Sequence, residues 1–315
     1  MESDLSRKLS NCRICPRECG VDRLNGAAGF CGVDGRIRVA RIAPHHWEEP
    51  PLSGTCGSGA IFFSGCNLGC VFCQNHQISH QRFGAVMDTE QLADECLRLQ
   101  AAGAHNINLV TGSHFVPQIA AALQSAKRRG LTIPVVYNTS AYEKVETLRQ
   151  LTGLVDVYLP DLKYRSETLS YNYSGAADYF NVASQAILEM FRQCGPVVLS
   201  SNGIIQSGLI IRHLILPGTV TDSKDCLRWI KTNLPEGIYV SLMAQYYPLP
   251  ELRLSGDLNR KITNNEYEEV LDELFQLGME DGFVQELDSA SPDFIPDFDL
   301  TGIPSKNKKP CQDTD

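Results

Sequence analysis

From Gly59 onward the apolar positions fall into one repeating unit: a short apolar run, then a longer stretch with apolar residues every three or four positions. The run has the length of a strand buried on both faces. The longer stretch has the period of a helix with one buried stripe, so the repeat predicts a parallel sheet with crossover helices. Six strands are predicted, over 60–63, 106–111, 135–138, 157–160, 209–216 and 239–243. The helices between them are expected to begin at Asp88 or Thr89, where Leu92, Cys96 and Leu99 share a face, and then to cover 116–129, 142–151, 179–194 and 222–233. A last helix is expected over 264–277. Ahead of the repeat, 36–42 alternates as a strand does, and His45, His46 and Trp47 read as loop residues before the turn at Glu49-Pro50-Pro51. Beyond Glu286 the residues turn to Asp, Ser, Pro and Lys, which predicts a flexible tail over 288–315. The expected organisation is a cysteine-rich module at 1–50, an α/β body at 51–287 and that tail.

A chain of 315 residues accommodates one α/β barrel with attachments. At 43% hydrophobic and 21% charged residues it reads as a soluble globule, and a formal charge of -9 offers no attraction for phosphate backbones, so no nucleic acid is expected. The opening residues lack the apolar core of a signal peptide, and no stretch approaches the ~20 apolar residues that span a bilayer, which predicts a cytoplasmic protein without membrane contact. Twelve cysteines in a reducing compartment point to metal binding rather than to disulfides.

Three of them, Cys66, Cys70 and Cys73, lie on one loop with spacing C-x3-C-x2-C, directly after the first predicted strand of the repeat. Gly65 and Gly69 let that backbone turn tightly and approach a bound group. Ligands of parallel α/β sheets gather at the C-terminal ends of the strands. A structural zinc or an ordinary cubane takes four protein ligands, so three thiolates either borrow a fourth donor or leave one metal position open for chemistry. The readings are buried small hydrophobes, a zinc completed by His76, His80 or Cys56, and an iron-sulfur cluster with an open iron. A second set, Cys12, Cys15, Cys19 and Cys31, has four members in a segment too poor in large apolar residues to fold unaided, so zinc or a second iron-sulfur cluster is expected there. Cys96, Cys194 and Cys226 fall within predicted helices as core residues, and Cys311 is expected to be a free thiol in the tail.

The loop Ser64-Gly65-Cys66-Asn67-Leu68-Gly69-Cys70-Val71-Phe72-Cys73 resembles the signature of the radical S-adenosylmethionine (SAM) superfamily. Within it the chain is similar to the branch related to pyruvate formate-lyase activating enzyme, over about residues 12–285. The resemblance implies an incomplete (β/α)6 TIM-like barrel and a 4Fe-4S cluster on Cys66, Cys70 and Cys73 whose fourth iron is chelated by SAM. It implies reductive cleavage of SAM, a 5′-deoxyadenosyl radical that abstracts hydrogen from a substrate, and an electron donor such as flavodoxin or ferredoxin. The strand ends would then supply the SAM pocket. Thr111, Gly112 and Ser113 stand where many relatives carry Gly-Gly-Glu to hold the amino group, with His114 beside them as a pocket donor or a helix-start residue. Asn138 lies at the same rim, and Asp161 and Lys163, two apart on an extended segment, point to one side as an ion pair in an Asp-Leu-Lys run that the activating enzymes share. Arg212 faces inward among apolar neighbours and needs a partner, for which the SAM carboxylate is suited. Gln245 would meet the ribose or adenine, with Met243 and Tyr246 as walls. The radical's acceptor is a glycine of a partner polypeptide in the activase reading; a small molecule or peptide is the alternative. A third reading is a non-catalytic electron carrier or metal-binding module.

Overall fold

The computed structural model describes residues 2–304. Its centre is a sheet whose strands are β1 (Ile37–His45), β2 (Ser58–Phe63), β3 (Ala85–Met87), β4 (Ile107–Val110), β5 (Val135–Thr139), β6 (Val157–Pro160), β7 (Val198–Leu199), β8 (Ile205–Leu214), β9 (Tyr239–Met243) and β10 (Gly282–Val284). The spatial order is β10-β9-β8-β6-β5-β4-β2-β1-β3, with β7 a short antiparallel partner of β8. From β2 to β10 the neighbours along this path are parallel, whereas β1 pairs antiparallel with β2 and with β3. The sheet is an incomplete barrel of the TIM type, open between β10 and the β1–β3 side.

All six predicted strands of the repeat form, and the reason is visible in their burial. Every residue of β2, β4 and β6 is buried, as parallel strands covered on both faces must be. A seventh parallel strand, β10, escapes the sequence pattern because it is three residues long and starts on a glycine. A Cβ on Gly282 would lie 2.0 Å from the Val240 carbonyl oxygen, so only glycine lets it pair with β9. The strand expected over 36–42 is the antiparallel β1, so the boundary expected at residue 50 follows a strand that belongs to the barrel sheet.

The helix Thr89–Ala101 starts where Asp88 and Gln91 make a reciprocal capping box, and Thr263 and Glu266 do the same for Asn264–Gln276. The helix expected over 142–151 begins only at Val145. Tyr142 and Glu143 instead turn inward, Tyr142 to Asp178 at 2.7 Å and Glu143 to the hydroxyls of Ser113 and Thr139. Helix Glu167–Ser174 was not legible: its Ser, Tyr and Asn residues show no apolar period, and it is held by an N-cap from Ser166 and a left-handed Gly175. Cys96 and Cys226 are buried in the core, and Cys194 is partly buried and packs against it.

The tail expected from residue 288 is corrected by the structure, as far as residue 304. Two short 3-10 turns, Leu287–Ser289 and Pro292–Phe294, lead into a strap that crosses the open side of the barrel. The N–H groups of Leu300 and Ile42 donate to the carbonyls of Ala40 and Thr301, tying the strap to β1. Phe298 is buried edge-on against Phe62, ring centroids 5.5 Å apart. Apolar burial wins over the polar composition of the flanking residues. Cys311 lies outside the described residues. Among the described residues no helix is long and apolar enough to cross a membrane.

Candidate active site

The loop after β2 carries Cys66, Cys70 and Cys73 to the C-terminal end of the sheet. Its first turn needs Gly65, which has φ +83° and whose Cβ would lie 2.6 Å from the Cys31 carbonyl oxygen. Asn67, fully buried, donates from Nδ2 to the Tyr142 carbonyl at 2.6 Å and pins the loop to the turn after β5. Each sulfur accepts a hydrogen bond from a neighbouring group: Cys66 from the Leu68 N–H at 3.4 Å, Cys70 from Ser174 Oγ at 2.9 Å and Cys73 from Ser79 Oγ at 3.2 Å. Burial pushes all three thiols up, Cys73 to about 11, and the thiols raise one another where they are close. Cys70 is buried and Cys66 and Cys73 are half-buried; three hydrogen-bonded sulfurs on one short loop, each able to bind a separate iron, form a donor set that fits an iron-sulfur cluster. Among the described residues, no three His, Cys, Asp or Glu side chains converge closely enough to share one metal ion. A cubane takes one thiolate per iron and does not require that convergence. Cys56 is no candidate fourth ligand: it precedes β2, at the opposite end of the strand, and its N–H donates to His105.

Beside the loop lies a cavity of about 580 Å³. Cys70, Cys73, Thr111, Asn138, Asp161, Lys163, Arg212 and Gln245 all line it, as do Met243 and Tyr246. Gly112, Ser113 and Cys66 do not. Gly112 is packed against Ile119, whose Cδ1 would lie 2.5 Å from an added Cβ, and Ser113 Oγ donates to buried Glu143 at 2.5 Å. His114 also faces away, with Nε2 2.9 Å from the Ser64 carbonyl, and its burial beside Arg23 pushes its pKa down to about 3. Thr111 remains at the cavity wall in a left-handed conformation, φ +61°, that a β-branched residue adopts only under constraint.

Asp161 and Lys163 form the pair expected at the strand end, at 2.6 Å. Burial opposes the charge on Lys163, but Asp161 and the nearby Cys70 outweigh it and raise its pKa. Tyr179 Oη donates to the Asp161 carbonyl at 2.7 Å and accepts from the Lys163 N–H at 2.9 Å, which fixes the segment. Arg212 differs from expectation: its partners are within the chain. Its Nε and Nη2 bind Glu49 at 2.8 and 2.6 Å, and Nη2 also meets Glu48. Glu48 and Glu49 follow β1, Glu49 reads in sequence as the start of a proline turn, and no local pattern marks either as buried; only folding brings them to β8. Further walls missed in the sequence include Phe283 to Gln285 on β10 and its exit, and Phe294 to Pro296 on the strap.

The cysteines near the N-terminus sit behind this loop. Cys12, Cys15 and Cys31 are buried and Cys19 is exposed. Burial, with Cys31 and Cys12 close by, pushes the Cys15 thiol up to about 12. Arg17 reaches out of this module to donate to the carbonyls of Asn67 at 2.8 Å and Gly175 at 2.6 Å. Arg23, almost fully buried, donates to the His114 carbonyl at 2.6 Å.

Fold and site together define a partial parallel barrel that carries a three-cysteine loop at its first parallel strand end, with a cavity beside it. The radical SAM superfamily model matches residues 60–195. An uncharacterized protein of Methanocaldococcus jannaschii is 30% identical over 276 residues, 84% of this chain and 74% of that one. The chain belongs to the radical SAM superfamily, and membership implies an enzyme that binds SAM and a 4Fe-4S cluster. Among solved structures, the hydrogenase maturase HydG of Carboxydothermus hydrogenoformans matches at TM-score 0.50 with 13% identity, over 75% of this chain and 56% of that one. SuiB of Streptococcus suis, bound to its precursor peptide SuiA, matches at 0.48 with 13% identity, over 72% and 48%. A domain of pyruvate-formate lyase-activating enzyme from Bacteroides vulgatus matches at 0.39 with 14% identity, over 54% and 91%. The chain spans about half the length of the HydG and SuiB chains.

Proposed function

We propose that Cys66, Cys70 and Cys73 hold a 4Fe-4S cluster and that the adjoining cavity binds SAM for one-electron cleavage and hydrogen abstraction. The observation that carries this reading is the cavity itself, which abuts Cys70 and Cys73 and gathers polar ends of the parallel strands. Its charged lining suits SAM. Glu48, Glu49 and Asp161 face Lys163 and Arg212, three carboxylates against two cations, which leaves one negative charge. SAM, with a sulfonium and an ammonium against one carboxylate, is a net cation. When bound, cluster and cofactor supply a 5′-deoxyadenosyl radical, chemistry that no side chain provides. The chain's own residues orient and enclose: Lys163 offers an ammonium for a carboxylate, Thr111 and Asn138 offer hydrogen-bonding groups, and the strap keeps water from the opening.

The acceptor we propose is a polypeptide segment, as in the activating enzymes. The cavity rim presents Trp47, 60% exposed, and Val284, 38% exposed, apolar surface suited to a chain lying across the mouth. In the same reading Cys12, Cys15, Cys19 and Cys31 hold zinc or a second iron-sulfur cluster, which metal analysis distinguishes. Anaerobic reconstitution tests the whole. Wild type takes up about four irons more than the variant Cys66→Ala/Cys70→Ala/Cys73→Ala and cleaves SAM when reduced, whereas the variant does not. Iron uptake without SAM cleavage refutes the enzyme in favour of an electron carrier.

A further inference from the structure

Ser174 ends the helix Glu167–Ser174, a hundred residues beyond the cysteine loop, yet its hydroxyl lies 2.9 Å from Cys70 Sγ. It is shorter than the bonds from Ser79 to Cys73 and from Leu68 to Cys66, which are 3.2 and 3.4 Å. Ser174 Oγ has one further partner, the Tyr164 hydroxyl at 2.8 Å. Ser174 is fully buried and Tyr164 is 1% exposed, so water does not compete for either group. The backbone holds them in place on both sides of the sulfur: the Gly69 N–H donates to the Ser174 carbonyl at 3.1 Å and the Val71 N–H to the Tyr173 carbonyl at 2.8 Å. Arg17 adds a clamp, donating to the carbonyls of Asn67, Gly175 and Ser174.

Proton counting sets the direction of this chain. A metal-bound thiolate carries no proton and only accepts. Ser174 therefore donates to Cys70, which leaves its oxygen free to accept from Tyr164, and both hydroxyl protons are used. A hydrogen bond on a cluster sulfur favours the more negative, reduced state and raises the reduction potential. We propose that Ser174, oriented by Tyr164, is a positioning residue that donates to the Cys70 sulfur and raises the reduction potential of the cluster. The inference rests on the reading above that Cys70 is a cluster ligand.

The test is the midpoint potential of the anaerobically reconstituted full-length protein, followed by electron spin resonance. At a fixed applied potential Ser174→Ala lowers the ratio of reduced to oxidised cluster about tenfold, a midpoint lower by about 59 mV for one electron. Ser174→Thr, which keeps the hydroxyl, stays close to wild type, and Tyr164→Phe falls between. Ser170→Ala serves as control: it removes a buried hydroxyl of the same helix that donates to the Glu167 carbonyl, and the midpoint does not move. An S174A protein with its cluster intact and the wild-type midpoint overturns the proposal, as does an equal shift in S170A. Should S174A fail to hold a cluster, Y164F decides, and an unmoved midpoint there overturns it. Failure of the ligand reading looks different: wild type takes up no cluster, or Cys70→Ala keeps it in full.

Discussion

Replacing Arg212 by methionine removes the cation from a charge triad that is almost wholly inside the protein. The side chains of Arg212, Glu48 and Glu49 are 12%, 7% and 5% exposed. In the native triad burial alone would raise the Glu49 pKa, but the guanidinium outweighs it and holds the carboxyl below its usual range. Without that guanidinium Glu48 keeps only the Asn108 amide at 2.8 Å, and two carboxylates share a desolvated site. Breaking a buried ion pair costs about 3–5 kcal/mol. Arg212→Met is expected to lose that much at neutral pH, read by urea denaturation at a common denaturant concentration. Adding Glu48→Gln and Glu49→Gln removes the stranded charge and returns the protein to within about 1 kcal/mol of wild type, because desolvation offsets most of the Coulomb gain in such triads. The sign of the pH dependence follows. In R212M nothing opposes the burial that raises the Glu49 carboxyl, so the variant recovers stability as pH falls, whereas wild type loses the contribution of the pair when pH drops through the lowered pKa of Glu49. A loss below about 1 kcal/mol, or one that does not change with pH, refutes the view that this triad is a buried, mutually dependent unit.

Phe298→Ala undocks the strap, since a buried phenylalanine contributes about 3–5 kcal/mol and this one joins the strap to Phe62; limited proteolysis should cut within 292–304 while the barrel stays intact, and unchanged protection refutes it. Gly302→Ala should do the same, because its Cβ would lie 1.8 Å from the Ile42 carbonyl oxygen at φ +75°. Glu143, buried with Oε1 accepting from Ser113, Thr139 and Tyr137 and Oε2 unpartnered, has its pKa raised by burial above 4.5. It therefore withdraws stability as pH rises from there through its raised value. Thermal melts of Glu143→Gln against wild type should diverge in the variant's favour as pH rises, and a difference that stays flat rejects the assignment. Gly65→Ala, with a Cβ 2.6 Å from the Cys31 carbonyl oxygen, should lower iron uptake on reconstitution; wild-type iron content shows that the turn tolerates a side chain.

Much of this protein is written locally. β2, β4 and β6 are legible as apolar runs because a parallel strand covered on both faces must exclude polar side chains, and the helix at Thr89 is legible because Asp88 and Gln91 satisfy its first N–H groups from three residues away. The cysteine loop is legible for the same reason: its donors sit within eight residues, so their spacing already limits what they hold together. The partners of those groups are another matter. Glu49 and Arg212 are 163 residues apart, Ser174 and Cys70 104, Gln77 and Phe298 221. A glutamate before two prolines, a serine ending an aperiodic helix and a phenylalanine in an acidic stretch each look like surface in sequence. Whether such residues are buried depends on which distant strand end or loop the closing barrel brings against them, and only the tertiary structure sets the desolvation and pairing that give them a role.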